Sequence, residues 1–184
     1  MAPDTRETIL EVARATAQAH GYGGLSFREL GKAVGIKSAS LHYHFPTKGD
    51  LGAALARRYA EDAKATLDGF WSETPNAVLA LRKYTGLFRR ALENGNRMCM
   101  CAFMAAETDD LPPAVEAEVQ AFADVNVAWL TKVLSAAPIP AADQRALAIF
   151  AAVGGAQLAA RSRGDVAVYD RIINSYRASG LIPD

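Results

Sequence analysis

The chain has 184 residues, 51% of them apolar, and its 20 basic side chains balance 20 acidic ones. That length and composition bury a real core and exclude a disordered chain, while the zero net charge excludes a general polyanion binder, so any nucleic-acid contact must be a local patch. Cys99 and Cys101 lie too close in sequence for a disulfide framework, no charged-then-apolar leader opens the chain, and the longest nearly apolar run, Ala146 to Ala160, is shorter than a membrane span, so a cytoplasmic, reduced protein with no membrane partner is expected.

Apolar residues recur at three and four positions and sustained two-residue alternation is missing, so an all-α fold of about nine helices is predicted. The first starts near Asp4, with Glu7 three residues on, buries Ile9, Val12, Ala13 and Ala17, and stops at Gly21. Ser26 and Glu29 form a capping pair for a second, short helix that carries Phe27, Leu30, Ala33 and Val34 inward and ends at Gly35. Ser38 caps a third, which Pro46 cannot continue. Thr47 with Asp50 opens a long helix to about Trp71, and Pro75, at a first helical position, opens another through Leu92. A short segment from about Met98 to Thr108 follows; "DDLPPAV" then restarts a helix carrying Val119, Phe122, Val125, Trp129 and Val133, which Pro138 and Pro140 break. The last two helices run from about Ala141 to Ser162 and from about Val166 to Ala178, with Gly164 between them.

The second and third helices, joined by "VGIK", have the length and turn glycine of a helix-turn-helix, whose second helix enters a major groove. Ile36, Leu41 and Phe45 pack inward, which leaves Ala39, Ser40 and Tyr43 facing away from the core and His42 and His44 on the flanks. Hydroxyl, imidazole and phenol groups bond base edges or phosphate oxygens, and Lys48 adds a cation beside the next helix start. Over residues 1 to 50 six cations face five acids, so phosphate binding must rest on a few placed cations, helix ends and neutral donors.

Residues 5 to 51, with "TRETIL", "HGYGGLSFREL" and "AVGIKSASLHYHFPTKGDL" at their mutual spacing, resemble the DNA-binding region of the TetR family of transcriptional repressors. The resemblance implies a DNA-binding domain over 1–46 and a larger helical ligand-binding and dimerisation domain over 47–184. It implies that Ser38 to His44 is the recognition helix, with Ser40, His42 and Tyr43 on bases or phosphates, and His44 and Lys48 on backbone phosphates; Ser26 and Arg28 sit at a helix end that does the same. Lys37, in the turn before Ser38, joins this set. Many members have tyrosine where this chain has His42, which leaves base preference open.

One such helix buries too little for tight specific binding, so a homodimer on a palindromic operator of double-stranded DNA is expected. "FAAVGGAQLAA", Phe150 to Ala160, reads equally as tight packing within one chain or as a dimer seam; the resemblance implies dimerisation through the last two helices. An unidentified small-molecule effector is implied in the larger domain, where Phe103, Met104, Phe122, Trp129 and Phe150 are the large apolar candidates for its pocket. Cys99 and Cys101 read either as buried small apolar residues, or as contacts or sensors in a redox or electrophile switch. Glu107, Asp109 and Asp110 are expected at a solvated helix end. The three histidines lie far from the cysteines, and no nucleophile, base and orienter fall at a recognisable spacing, so neither a metal site, a cofactor nor an enzyme is expected; activation instead of repression stays open.

Overall fold

A computed structural model of the chain describes residues 4–137 and 139–184. Among these residues the regular structure is helical: α1 (Thr5–His20), α2 (Phe27–Val34), α3 (Ser38–His44), α4 (Lys48–Glu73), α5 (Ala77–Glu93), α6 (Met100–Ala105), a 3-10 turn (Thr108–Asp110), α7 (Pro113–Ala136), α8 (Ala142–Arg163) and α9 (Val166–Ala178). Pro138, one of the two prolines expected to break α7, lies outside the described residues. The chain forms two compact units, Met1–Ala60 with Met100–Phe122, and Glu61–Cys99 with Ala123–Asp184.

In the first unit the Asp4 side chain caps α1 by accepting the Arg6 N–H at 2.9 Å. Glu7, the expected reciprocal partner, instead pairs with Arg58 of α4 at 3.1 Å. Ile9, Leu10, Ala13 and Ala17 are buried, while Val12 is only half-buried because Leu10 takes the inner position beside Ile9. The capping pair expected of Ser26 and Glu29 does not form: the Ser26 side chain makes no cap bond, and Glu29 turns to Arg28 and Lys32 at 3.0 and 3.2 Å. Ala33 is exposed, contrary to expectation, and Gly31 is buried in its stead. Lys37, not Ser38, occupies the cap position of α3. The pair opening α4 forms in full, since Asp50 accepts both the Thr47 amide (2.9 Å) and hydroxyl (2.7 Å) while Thr47 Oγ1 accepts the Asp50 amide at 3.1 Å.

In the second unit Asn76 caps α5 by accepting the Leu79 amide at 3.0 Å, so Pro75 stands outside the helix rather than at its first position. Gln157 of α8, fully buried, accepts the Cys99 amide at 2.8 Å and donates to the Phe88 carbonyl at 2.9 Å. Both hydrogen bonds are needed there, because a buried amide left unpaired costs about 1–3 kcal/mol. Tyr84 and Trp129 stack with ring centroids 5.7 Å apart, and the Tyr169 hydroxyl donates to the Thr85 carbonyl at 2.8 Å. No helix among the described residues is long and apolar enough to cross a membrane.

Candidate nucleic-acid interface

α2 and α3 meet through a turn whose geometry only glycine adopts without strain. Gly35 has φ +78°, its N–H bonds back to the end of α2, and the Ile36 N–H reaches the Gly31 carbonyl at 2.9 Å. α3 has seven residues, too few to hold helical shape alone. Its anchors are Leu41 and, just past its end, Phe45, at 0% and 2% exposure. Burial of these two fixes which side of the helix remains outside: Ser38, Ala39, Ser40, His42 and Tyr43 are exposed, Tyr43 to 85%. Tyr43 thus stands in water on a helix otherwise lined by hydroxyls and imidazoles.

His42 is held from two sides. Its ring lies 4.6 Å from that of Phe27, and its Nδ1 is 3.2 Å from the Pro46 carbonyl. A carbonyl only accepts, so Nδ1 is the donor in this bond and Nε2 is not committed by it. The Phe27 contact also brings His42 to the start of α2, where Ser26 and Arg28 stand. Arg28 is exposed and pairs with Glu29, which Lys32 first and Arg28 second hold below the ordinary carboxyl pKa. Such an exposed pair is screened by water and adds little to stability. Lys37 is exposed in the turn; the half-buried His44 sits edge-on to Tyr43 with centroids 5.3 Å apart.

Lys48 is half-buried and placed by the turn between α1 and α2: its Nζ lies 4.4 Å from the centre of the Tyr22 ring and 3.4 Å from the Gly23 carbonyl. The same turn is gripped by a residue that sequence reasoning misplaced. Glu107 is not at a solvated helix end; its two carboxylate oxygens accept the amides of Tyr22 (2.6 Å) and Gly23 (3.1 Å), leaving Asp109 and Asp110 exposed. Gly21, at φ +69°, gives the carboxylate room, because a Cβ there would run into Glu107 Oε2. More than eighty residues separate the partners, so no local pattern announces the contact.

The residues expected around an effector fall in different units. Cys101, Phe103 and Met104 on α6 belong to the first, as does Phe122, whose ring is 5.2 Å from that of Tyr59. Cys99, Trp129 and the half-buried Phe150 belong to the second. Cys99 precedes α6 instead of lying on it, and both thiols are buried, at 3% and 1% exposure. Trp129 lines a groove of about 250 Å³ with Leu67, Val125 and Ala128, flanked by Lys64, Asp68 and Lys132. Its Nε1 and the Tyr84 hydroxyl are buried without a hydrogen-bond partner among the described residues, and burial pushes the Tyr84 pKa well up.

Residues 9–55 match the family described as bacterial regulatory proteins, tetR family. An HTH-type transcriptional repressor, AcnR, of Corynebacterium glutamicum is 42% identical over 60 residues, a match that spans 33% of this chain and 30% of the repressor. A TetR-family transcriptional regulator from Agrobacterium tumefaciens superposes with a TM-score of 0.87 at 32% identity, over 91% of this chain and 93% of its own. A TetR transcriptional regulator from Legionella pneumophila does so with a TM-score of 0.89 at 27% identity, over 97% and 99%. With an end-to-end likeness above 30% identity and the matching N-terminal segment, the chain belongs to the TetR family of transcriptional regulators.

Proposed function

We propose that this protein is a cytoplasmic, ligand-responsive transcriptional repressor that binds a palindromic operator as a homodimer, with residues 1–46 as the DNA-binding domain and 47–184 as the ligand-binding and dimerisation domain. The observation that carries the reading is α3, anchored by Leu41 and Phe45 while Ser40, His42 and Tyr43 are exposed. Ser38, Ser40, His42 and Tyr43 meet bases or nearby phosphates, and Ser26, Arg28, Lys37, His44 and Lys48 hold the backbone. The dimer is supported by Gly154 and Gly155 of α8. A Cβ at either would meet no atom within 4 Å beyond the helix's own backbone, so tight packing within the chain does not account for them. Leu147 and Leu158, 60% and 57% exposed on the same helix, supply apolar surface to bury.

The effector site is best supported at the Trp129 groove, where a largely apolar ligand with a hydrogen-bond acceptor suits the lining of Leu67, Val125, Ala128 and Trp129, whose indole N–H has no partner among the described residues. An effector releases DNA only if it binds the DNA-free arrangement better, and DNA must then weaken effector binding by the same factor. Selection of bound duplexes from a random library tests the whole reading. A two-fold symmetric consensus, lost when Ser40, His42 and Tyr43 are replaced together by alanine, is the expected result. Recovery of no consensus, or of the same one with the triple variant, overturns it.

A further inference from the structure

The groove between α5 and α9 is separate from the surfaces considered so far. It encloses about 330 Å³ and is lined by Arg82, Thr85, Arg89, Asp170, Asn174 and Arg177 among others. Three guanidiniums and one carboxylate line it, and two further carboxylates, Glu93 and Asp184, pair with Arg89 and Arg82, so the question is how each arginine is satisfied.

The three arginines are not equivalent. Arg89 is satisfied: Asp170 takes its Nε and Nη2 at 2.9 and 3.1 Å, Glu93 takes Nη1, and these bonds push its pKa up. Arg82 reaches Asp184 at 2.7 Å, an ion pair with both side chains more than half exposed. Arg177 has neither arrangement. Its Nη2 donates to Thr85 Oγ1 and its Nη1 to Asn174 Oδ1, both at 3.2 Å and both neutral, and no carboxylate among the described residues lies within ion-pair distance. Its Nε is buried with no hydrogen-bond partner from those residues. Sequestering one edge of a guanidinium without an acceptor is unfavourable, and Asp170, nearly two turns back along α9, is already taken by Arg89.

We propose that this groove is a binding site for a small oxyanion, the carboxylate or phosphate group of a low-molecular-weight ligand. The anion accepts from Arg177 Nε and from the second hydrogen of the adjacent Nη, the planar fork that suits two oxygens of one group. Thr85 and Asn174 hold that fork in place, and Arg82 turns from Asp184 to close the outer side. The volume admits a compact metabolite and little more.

The test is thermal unfolding and calorimetric titration of the full chain with sodium phosphate and, separately, sodium succinate, each against sodium chloride at matched ionic strength. A saturable stabilisation by one of them is expected, and the anion that saturates lower identifies the class. Arg177→Gln weakens that binding about tenfold or more, by loss of a charge-assisted pair of hydrogen bonds. Arg177→Lys, which keeps the charge and loses the fork, recovers only part. Should Arg177→Gln fold poorly, Arg82→Gln, at an exposed side chain, must still weaken binding measurably. The proposal is overturned if neither anion acts beyond chloride, or if the wild-type response persists in the foldable variants. Because the readout needs no DNA, its failure leaves the operator-binding reading standing.

Discussion

The turn between α1 and α2 is held at two kinds of atom: Glu107 takes the amides of Tyr22 and Gly23, and Lys48 takes the Gly23 carbonyl and covers the Tyr22 ring. Glu107→Ala strands the part-buried Tyr22 amide, leaves the exposed Gly23 amide to water, and lowers stability by about 1–3 kcal/mol, read from urea unfolding. Glu107→Gln keeps one acceptor and loses less; equal stability of all three proteins contradicts the clamp. Lys48 and His42 separate on DNA. Lys48→Ala weakens binding to every sequence alike and reduces the salt slope by about one. His42, with Nδ1 committed to Pro46, has Nε2 left to meet a base edge. His42→Ala therefore relaxes preference at particular base pairs by about 1–3 kcal/mol. Identical effects of the two variants across a panel of operator sequences would refute this division of labour.

At the level of elements, the helices were legible where their signals are local. Thr47 and Asp50 cap α4 as their spacing requires, each bonding to the other. Ser26 and Glu29 have the same spacing, yet Glu29 goes to Arg28 and Lys32, a choice that letters at i and i+3 do not encode. The inner and outer sides of α3 followed from periodicity, since a seven-residue helix with two apolar anchors has one way to lie down. The support of His42 by Phe27 did not, because it depends on how α2 and α3 cross. Gly35 is where backbone and element meet. Its φ of +78° and the open space around its α-carbon mean that Gly35→Ala introduces strain without a clash. The expected cost is about 1–2 kcal/mol in unfolding free energy; an unchanged melting temperature would show that the turn relaxes freely.

For the whole molecule, the decisive question is what α8 meets. Two glycines in mid-helix each cost about 1 kcal/mol relative to alanine, and no neighbour in the chain approaches close enough to recover it. A partner helix recovers it by close approach, and Leu147 and Leu158, eleven residues apart and so nearly in line along the helix, then leave water. The sequence alone left packing and interface balanced, because a small-residue stripe serves both; exposure is what separates them. Leu147→Glu with Leu158→Glu places like charges across a two-fold seam while altering no buried contact of the chain. The double variant is expected to keep its helical circular dichroism and melt much as the wild type does at low concentration, yet to run as a monomer in light scattering where the wild type runs as a dimer. On DNA it keeps only weak half-site binding, because the two heads no longer share one association. A double variant that stays dimeric and grips the full operator would mean that copies of this chain join through a surface other than α8.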